Sequence, residues 1–352
     1  MAYGVTTELT AEAAVKLGYD SLVVTPNRDL SLGSALPIRI IGNRIYKLIL
    51  NKRLKMFIFA RFALFMPIFS YMIVNEFKNS KYIYYWTRDA LVAYCLSKLS
   101  TNKIILEIHR SPKKFDSVIL MKLKKNKKIV FAPISQSLEL KLGLRKDSSI
   151  VAPMSVRQSE LDSTRASTPL RKKSIVYLGG FKSGSHNLNV DLINQIGRKL
   201  YQTNPDWNIQ IIGVDEEVFQ LNCKNQVSAN INFLGRIARN DVMKILRTSS
   251  IGLLIYPNYE YFIDSFPIKS VEYASAKLAI IASDTLAHRR ILGPDKCIYF
   301  KVDSEIDLFN SINKLISNQT LLESLSTKAF NWAKTLTYEK RLQGVLDKLE
   351  IS

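Results

Sequence analysis

The second half of this 352-residue chain is punctuated by six short apolar runs, and their spacing leaves few folds open. They are residues 174–180 (SIVYLGG), 207–213 (WNIQIIG), 231–235 (INFLG), 251–256 (IGLLIY), 278–283 (LAIIAS) and 297–302 (CIYFKV). Each run is continuous rather than alternating, so both faces of each strand should be buried. Helical segments lie between them, at 188–200, 240–248 and 271–276. Fully apolar strands alternating with helices indicate βαβ units around a parallel sheet covered on both sides. Three closing helices are expected at 305–317, 320–336 and 338–349.

The first half repeats the alternation less cleanly. Residues 6–17 read as a helix and 21–25 (SLVVT) as a strand closed by Pro26. Further strands are expected at 82–86, 104–108, 129–132 and 150–152, with a helix at 138–142. One core stops growing near about 250–300 residues, so two domains are expected. Residues 155–173 are polar without apolar periodicity and mark the boundary. The expected division is 1–155, a linker at 156–169, a second domain at 170–330, and a last helix, 331–352, returning to the first domain. A domain of this type opens with a strand leading into a glycine loop. Here Met1 to Thr6, with Gly4, already reads as that loop, so the strand is either upstream or replaced.

Charge separates the halves. Residues 1–165 hold 27 Lys+Arg against 12 Asp+Glu, a balance of +15, and residues 166–352 hold the other 23 against 18. The basic half also carries the most apolar segment, 54–74 (LKMFIFARFALFMPIFSYMIV). Its length suits a membrane span, but Lys55, Arg61 and Pro67 interrupt it. Three readings remain open: a buried helix of the first domain, a surface helix with a basic surround that meets an anionic membrane, or a true span. The three cysteines, Cys95, Cys223 and Cys297, form no C-x-x-C pair and suit a reducing compartment.

The stretch from Asp264 to Asp284 carries the most chemistry. Ser265 is read as an N-cap and Pro267 as a first-turn residue, which starts a helix near Phe266. The N–H groups of Ser265, Phe266 and Ile268 would then face the carboxyl edge of the sheet, where a helix N-terminus attracts phosphate. Lys269 adds a charge in the first turn. Glu272, at i+3, can accept two hydroxyl hydrogen bonds from a ribose. Asp264 points from the loop before the cap.

The run from 174 to 283 resembles the nucleotide-sugar domain of the GT-B glycosyltransferases, specifically family 4, also called group 1. SIVYLGGF looks like the family's opening strand and glycine turn. INFLGRIARNDV looks like its FLG segment, and DSFPIKSVEY stands at its E-x7-E element. The resemblance implies two Rossmann-like α/β domains facing a cleft and a helix crossing back to the first. It implies that Glu272 binds ribose, that Asp264, in place of the usual Glu, contacts the transferred sugar, and that a nucleotide-sugar donor is used without a metal or other cofactor. The family's Arg and Lys-Gly grip on the diphosphate is altered here to Gly180 and Ser185-His186. Lys182, Arg236 and Lys269 are left as candidate cations. In the first half, YYWTRD and ILEIHR resemble the family's Y-x-R and E-x-H strand ends. By that resemblance His109 lies at the reacting centre and Gly4 to Thr6 beside the diphosphate.

There is no D-x-D, H-E-x-x-H, G-x-G-x-x-G, P-loop or G-x-S-x-G motif. The expectation is a retaining transferase at the cytoplasmic face of the membrane, whose acceptor is a glycan or lipid-linked glycan of surface polysaccharide synthesis. One rival is an inactive GT-B scaffold. A basic nucleic-acid binder is the other, and it lacks a recognition motif; nucleic acid is not expected as a partner.

Overall fold

The computed structural model describes residues 2–19, 23–25, 38–40, 58–77, 84–112, 114–166, 171–180, 182–183, 186–187 and 190–351. The chain forms two compact units. One is Met1–Pro153 together with Tyr338–Ser352, and the other is Met154–Thr337.

In the first unit, β1 (Val23–Thr25) and β2 (Ile38–Ile40) form a parallel pair. A separate parallel sheet has the order β3 (Tyr84–Thr87), β4 (Lys103–Ile108), β5 (Ile129–Pro133). One face of that sheet, through Ile105, Val130 and Ala132, packs on two helices, Ala2–Lys16 and Tyr338–Ile351. The returning helix supplies Tyr338, Leu342, Val345, Leu346 and Leu349. It therefore belongs to the core of the unit at the other end of the chain, and it starts at Tyr338 rather than at 331.

The helix Ala90–Leu99 packs on β4 and carries the helices Ile58–Phe77 and Lys114–Leu123 beside it. Asp89 caps Ala90–Leu99 by accepting from the Val92 N–H at 2.9 Å. The apolar stretch expected at 54–74 is thus helical from Ile58. Along its described side chains, Phe69, Ser70 and Ile73 are buried while Ile68 and Tyr71 face outward. The buried-helix reading holds for one face of this stretch, and the other face is exposed. Among the described residues no helix is long and apolar enough to cross a membrane.

Two expectations about the first 170 residues are corrected. Gly4 is not in a loop, because the helix extends back to Ala2. The N–H groups of a first turn make no intrahelical bond, so a glycine there is tolerated. The supposed linker contains a helix, Gln158–Ala166, with Leu161 and Glu160 buried. One leucine and one paired carboxylate fix it in the second unit, too few apolar residues to show a period.

The second unit holds β6 (Ser174–Leu178), a two-residue hairpin β7–β8 (Lys182–Ser183, His186–Asn187), β9 (Asn208–Ile212), β10 (Ile231–Gly235), β11 (Ile251–Leu254), β12 (Ala279–Ser283) and β13 (Cys297–Phe300). Six of these form one parallel sheet in the order β10-β9-β6-β11-β12-β13. Side chains alternate between two cores, as strand geometry requires. Ile175, Tyr177, Ile209, Ile211 and Leu253 meet the helices Val190–Thr203 and Glu305–Ile316 on one face. Val176, Ile212, Leu254 and Ile280 meet Arg239–Thr248, Ile268–Ser275 and Gln319–Ala333 on the other. The chain builds outward from β6 to β9 and β10, then returns to β11 and builds the other way. Such a reversal opens a crevice at the carboxyl ends of the two innermost strands, β6 and β11.

Candidate functional site

At that crevice the backbone is made thin by glycine. Gly179 follows β6 with φ +116°, a region that L side chains rarely adopt. Gly213, after β9, has φ +98°, and a methyl group on it would stand 3.4 Å from the Gly179 Cα. The two strand ends therefore approach closely, with Gly179 N–H donating to Ile212 O at 2.8 Å.

The space above Gly179 is taken by Lys269, whose amine would collide with any Cβ added there. Its ammonium lies 5.3 Å from the ring centre of Tyr177 and 5.7 Å from that of Tyr256. Burial pushes this amine down to about 8, with the Glu272 carboxylate pulling in the opposite direction. At neutral pH it remains a cation, held against a glycine turn and two aromatic rings.

Lys269 is the second residue of the helix Ile268–Ser275, and Tyr273 fixes that helix on the sheet. The Tyr273 hydroxyl accepts from Leu178 N–H at 2.9 Å and donates to Leu253 O at 3.3 Å, bridging the ends of β6 and β11. Its ring covers Gly252, where a Cβ would come within 2.6 Å. The helix does not begin where the sequence suggested. Ser265 Oγ donates backward to Phe262 O at 2.7 Å, closing the short helix Glu260–Ile263, so it is not an N-cap. Pro267 is the N-cap residue, and no side chain caps this end. Phe266 lies before the helix, and the first-turn N–H groups are those of Ile268 and Lys269. Ser270 N–H already bonds Pro267 O at 3.0 Å.

Glu272 is buried one turn farther on. It is already paired, with Arg239 Nη1 at 2.5 Å. The same guanidinium grips Glu160 with Nε at 2.9 Å and Nη2 at 3.2 Å. Burial works against the charge of Arg239, but Glu272 and Glu160 more than offset it and hold it far above its ordinary range. Arg239 was not among the expected cations. Arg236, three residues earlier, is exposed at the end of β10, whereas Arg239 opens the helix Arg239–Thr248 and turns onto Glu272. The signal was the second Arg in RIARND, but only the helix phase separates the two.

Asp264 is buried at the end of Glu260–Ile263, with Arg290 Nη1 4.0 Å from its Oδ1. Gly180 is exposed and its carbonyl accepts from the Tyr177 hydroxyl at 3.3 Å. Lys182 lies in the β7–β8 hairpin, and its side chain is outside the described residues. Among the described residues no group of three or more His, Cys, Asp or Glu side chains is placed to hold a metal ion.

In the first unit, His109 directly follows β4, at the carboxyl end of the central strand. Its Nε2 meets both Glu107 Oε1 and Arg88 Nη2, and its Nδ1 is 3.1 Å from the same Arg88 nitrogen. Burial lowers the His109 pKa; Glu107 opposes this, and Arg88 and Arg341 reinforce it. Glu107 is itself buried and accepts from Trp86 Nε1 at 2.8 Å and from Arg88 Nη2 at 3.0 Å.

Residues 163–332 match the family described as "Glycosyl transferases group 1". No curated protein sequence matches the chain. Among solved structures, a glycosyltransferase from Rickettsia africae aligns at a TM-score of 0.69 and 14% identity, over 99% of this chain and 94% of that one. An α,α-trehalose-phosphate synthase (UDP-forming) from Burkholderia vietnamiensis aligns at 0.69 and 10% identity, over 97% and 95%. HepE from Anabaena, solved with UDP and glucose, aligns at 0.62 and 14% identity, over 97% and 95%. The chain shares the α/β fold of these proteins, the GT-B fold.

Proposed function

We propose, on the premise that residues 163–332 match the group 1 glycosyltransferase family, that the chain moves a sugar from a nucleotide-diphosphate donor to a hydroxyl acceptor, with retention at the anomeric carbon. The observation that carries this reading is Lys269. A cation is held at the crevice of the sheet, over a glycine turn, beside the first-turn N–H groups of Ile268 and Lys269. That is the chemistry a departing diphosphate needs, since charge develops on it as the bond to the sugar breaks. In this chain Lys269 is assigned the role of the altered Arg and Lys-Gly grip, with Lys182 and Arg236 as further candidate cations. No metal is assigned to the reaction.

Glu272 is assigned to the ribose hydroxyls. The ion pair with Arg239 fixes one of its oxygens and keeps the carboxylate oriented for the other to accept. Asp264 is assigned to the transferred sugar, with Ser265, Phe266 and Pro267 forming the loop beside it. His109 is assigned to the reacting centre from the first unit. The acceptor oxygen bonds to the anomeric carbon as the C–O bond to the diphosphate breaks, and its proton leaves with the departing group or to solvent. HepE was solved with UDP and glucose, and the Burkholderia synthase is UDP-forming, so a uridine nucleotide is the first donor to try.

The acceptor is assigned to the membrane surface, as a lipid-linked glycan of polysaccharide synthesis, on the cytoplasmic side. What supports this is the helical layer of the first unit. Ile68 (45% exposed), Tyr71 (60%), Val118 (49%) and Met121 (58%) stand outward, with Lys98, Lys122, Lys125 and Lys127 exposed on the same layer. Exposed apolar side chains among lysines are what an anionic bilayer surface binds.

The test is a thermal-shift and calorimetric screen of nucleoside diphosphates and their sugars, on the wild type and on Glu272→Ala. Selective stabilisation by one nucleotide, lost in the variant, supports the reading. If no nucleotide binds at millimolar concentration, the site assignment is wrong. If donor binds normally but neither transfer nor hydrolysis occurs with lipid-linked acceptors, the inactive-scaffold reading takes its place.

A further inference from the structure

The first unit buries an arginine that comes from the far end of the sequence. Arg341 lies in the helix Tyr338–Ile351, with a side chain only 1% exposed. Its Nη2 is 2.6 Å from Glu107 Oε1, its Nη1 donates to Thr10 Oγ1 at 3.2 Å, and its Nε donates to Ala152 O at 3.3 Å. The guanidinium also lies 5.6 Å from the Trp86 ring centre. Three backbone segments therefore fix it in place, and its charge is directed at one carboxylate.

We propose that Arg341 is a positioning residue for the reaction centre: it clamps Glu107 so that His109 is held as a neutral imidazole between Glu107 and Arg88. The proposal rests on the assignment of His109 to that centre for its functional meaning, but not for its geometry. Among the described residues, three charged groups face His109. Glu107 comes from β4, Arg88 from the end of β3, and Arg341 from the C-terminal helix. Two guanidiniums against one carboxylate already leave a net positive charge in a buried space. A proton on His109 would add a third cation there, so the ring stays neutral and its orientation is set by the two partners.

A merely structural residue at this position would not need to be charged. An apolar side chain of similar volume commonly stabilises as well as a buried ion pair does. Here the arginine instead holds a carboxylate whose four partners are Arg341, Arg88, His109 and Trp86. With Arg341 gone, Glu107 would be shared between Arg88 and His109, and the pull of the carboxylate would favour a protonated ring.

The experiment uses the full chain labelled with 15N-histidine. It has three histidines, His109, His186 and His288, so single substitutions assign each signal. In the unsubstituted protein at pH 7, His109 is expected as a neutral imidazole. A protonated ring there would overturn the proposal without any variant having to fold. In Arg341→Met the His109 midpoint should rise by about one pH unit, and in Glu107→Gln it should fall. An unchanged midpoint in a folded Arg341→Met would equally overturn it. Where transfer activity is found, the acid limb of kcat/KM should move with the His109 midpoint and the donor KM should stay within about twofold. If the titration behaves as expected and no transfer is found with any donor, the clamp stands and the sugar-transfer reading fails.

Discussion

Replacing Lys269 by Met should make the protein more stable and the nucleotide weaker bound, two effects of opposite sign from one amine. Met fills the channel between Tyr177 and Tyr256 with similar length and no charge. The wild-type amine titrates near 8, against an ordinary 10.5. The folded state thus releases its proton more readily than the unfolded chain does. Stability then rises with pH between about 8 and 10.5 and is lowest on the acid side of that window, neutral pH included. At about 1.36 kcal/mol for each pKa unit, the charged amine costs up to about 3 kcal/mol at pH 7. That figure is an upper bound, because part of the residue still touches solvent. Lys269→Met should recover a share of it, read as a higher midpoint in urea at pH 7 and a smaller gain at pH 10. The same change removes a charge-assisted hydrogen bond to diphosphate, worth roughly 1.5–3 kcal/mol, or about 10- to 150-fold in Kd. Calorimetry with UDP between pH 7 and 9 reads the second effect. Wild-type affinity should fall as pH passes 8, and the variant should not follow it. A variant that is less stable while binding UDP as tightly as the wild type would refute the reasoning, since Lys269 would then be a packing residue.

Other perturbations follow from the same geometry. Gly179→Ala, placing a side chain at φ +116° and against the Lys269 amine, should cost about 1–3 kcal/mol in urea unfolding and also weaken UDP binding. Arg239→Met strips the partner from two buried carboxylates, Glu160 and Glu272. It should destabilise the second unit by about 3–5 kcal/mol, whereas Arg236→Met, at an exposed site, should cost under about 0.5. His288 is buried, donates Nδ1–H to Ser283 O at 2.8 Å, and is pushed down to about 4 by burial. The unfolded chain takes up that proton near 6.5 and the folded one does not. Stability should therefore fall as pH drops from about 6.5 to 4, and His288→Gln should flatten this slope. Tyr71→Asp with Met121→Asp should reduce sedimentation with vesicles of one-third anionic lipid, and leave UDP affinity unchanged.

The strands of the second unit were legible because both of their faces are buried, which turns a strand into an uninterrupted apolar word such as IGLLIY or LAIIAS. Their carboxyl ends were equally plain, since a glycine can take the turn that the sheet edge demands, as at Gly179 and Gly213. Local chemistry misled where a residue suits two settings equally well. Ser265 has the composition of an N-cap, yet its hydroxyl is satisfied by Phe262 O behind it, and the helix begins at Ile268. Gly4 looked like a loop residue because glycine is common there, but a first helical turn asks for no N–H partner and tolerates it. The remaining features depend on distances along the chain that no local pattern reports. Glu160, 79 residues before Arg239, completes the fork that orients Glu272. Arg341 reaches Glu107 from the last helix, across the whole second unit in sequence. These two arginines sit among ordinary helical residues, RNDVMK and YEKRLQ, and nothing in those words distinguishes them from solvated charges. What sets them apart is the carboxylate each one meets. Glu272 and Glu107 both lie in segments where burial is already written in the sequence, between Val271 and Tyr273 and between Leu106 and Ile108. A carboxylate enclosed by apolar neighbours must find a cation. The partner's existence therefore follows from the sequence even though its address does not.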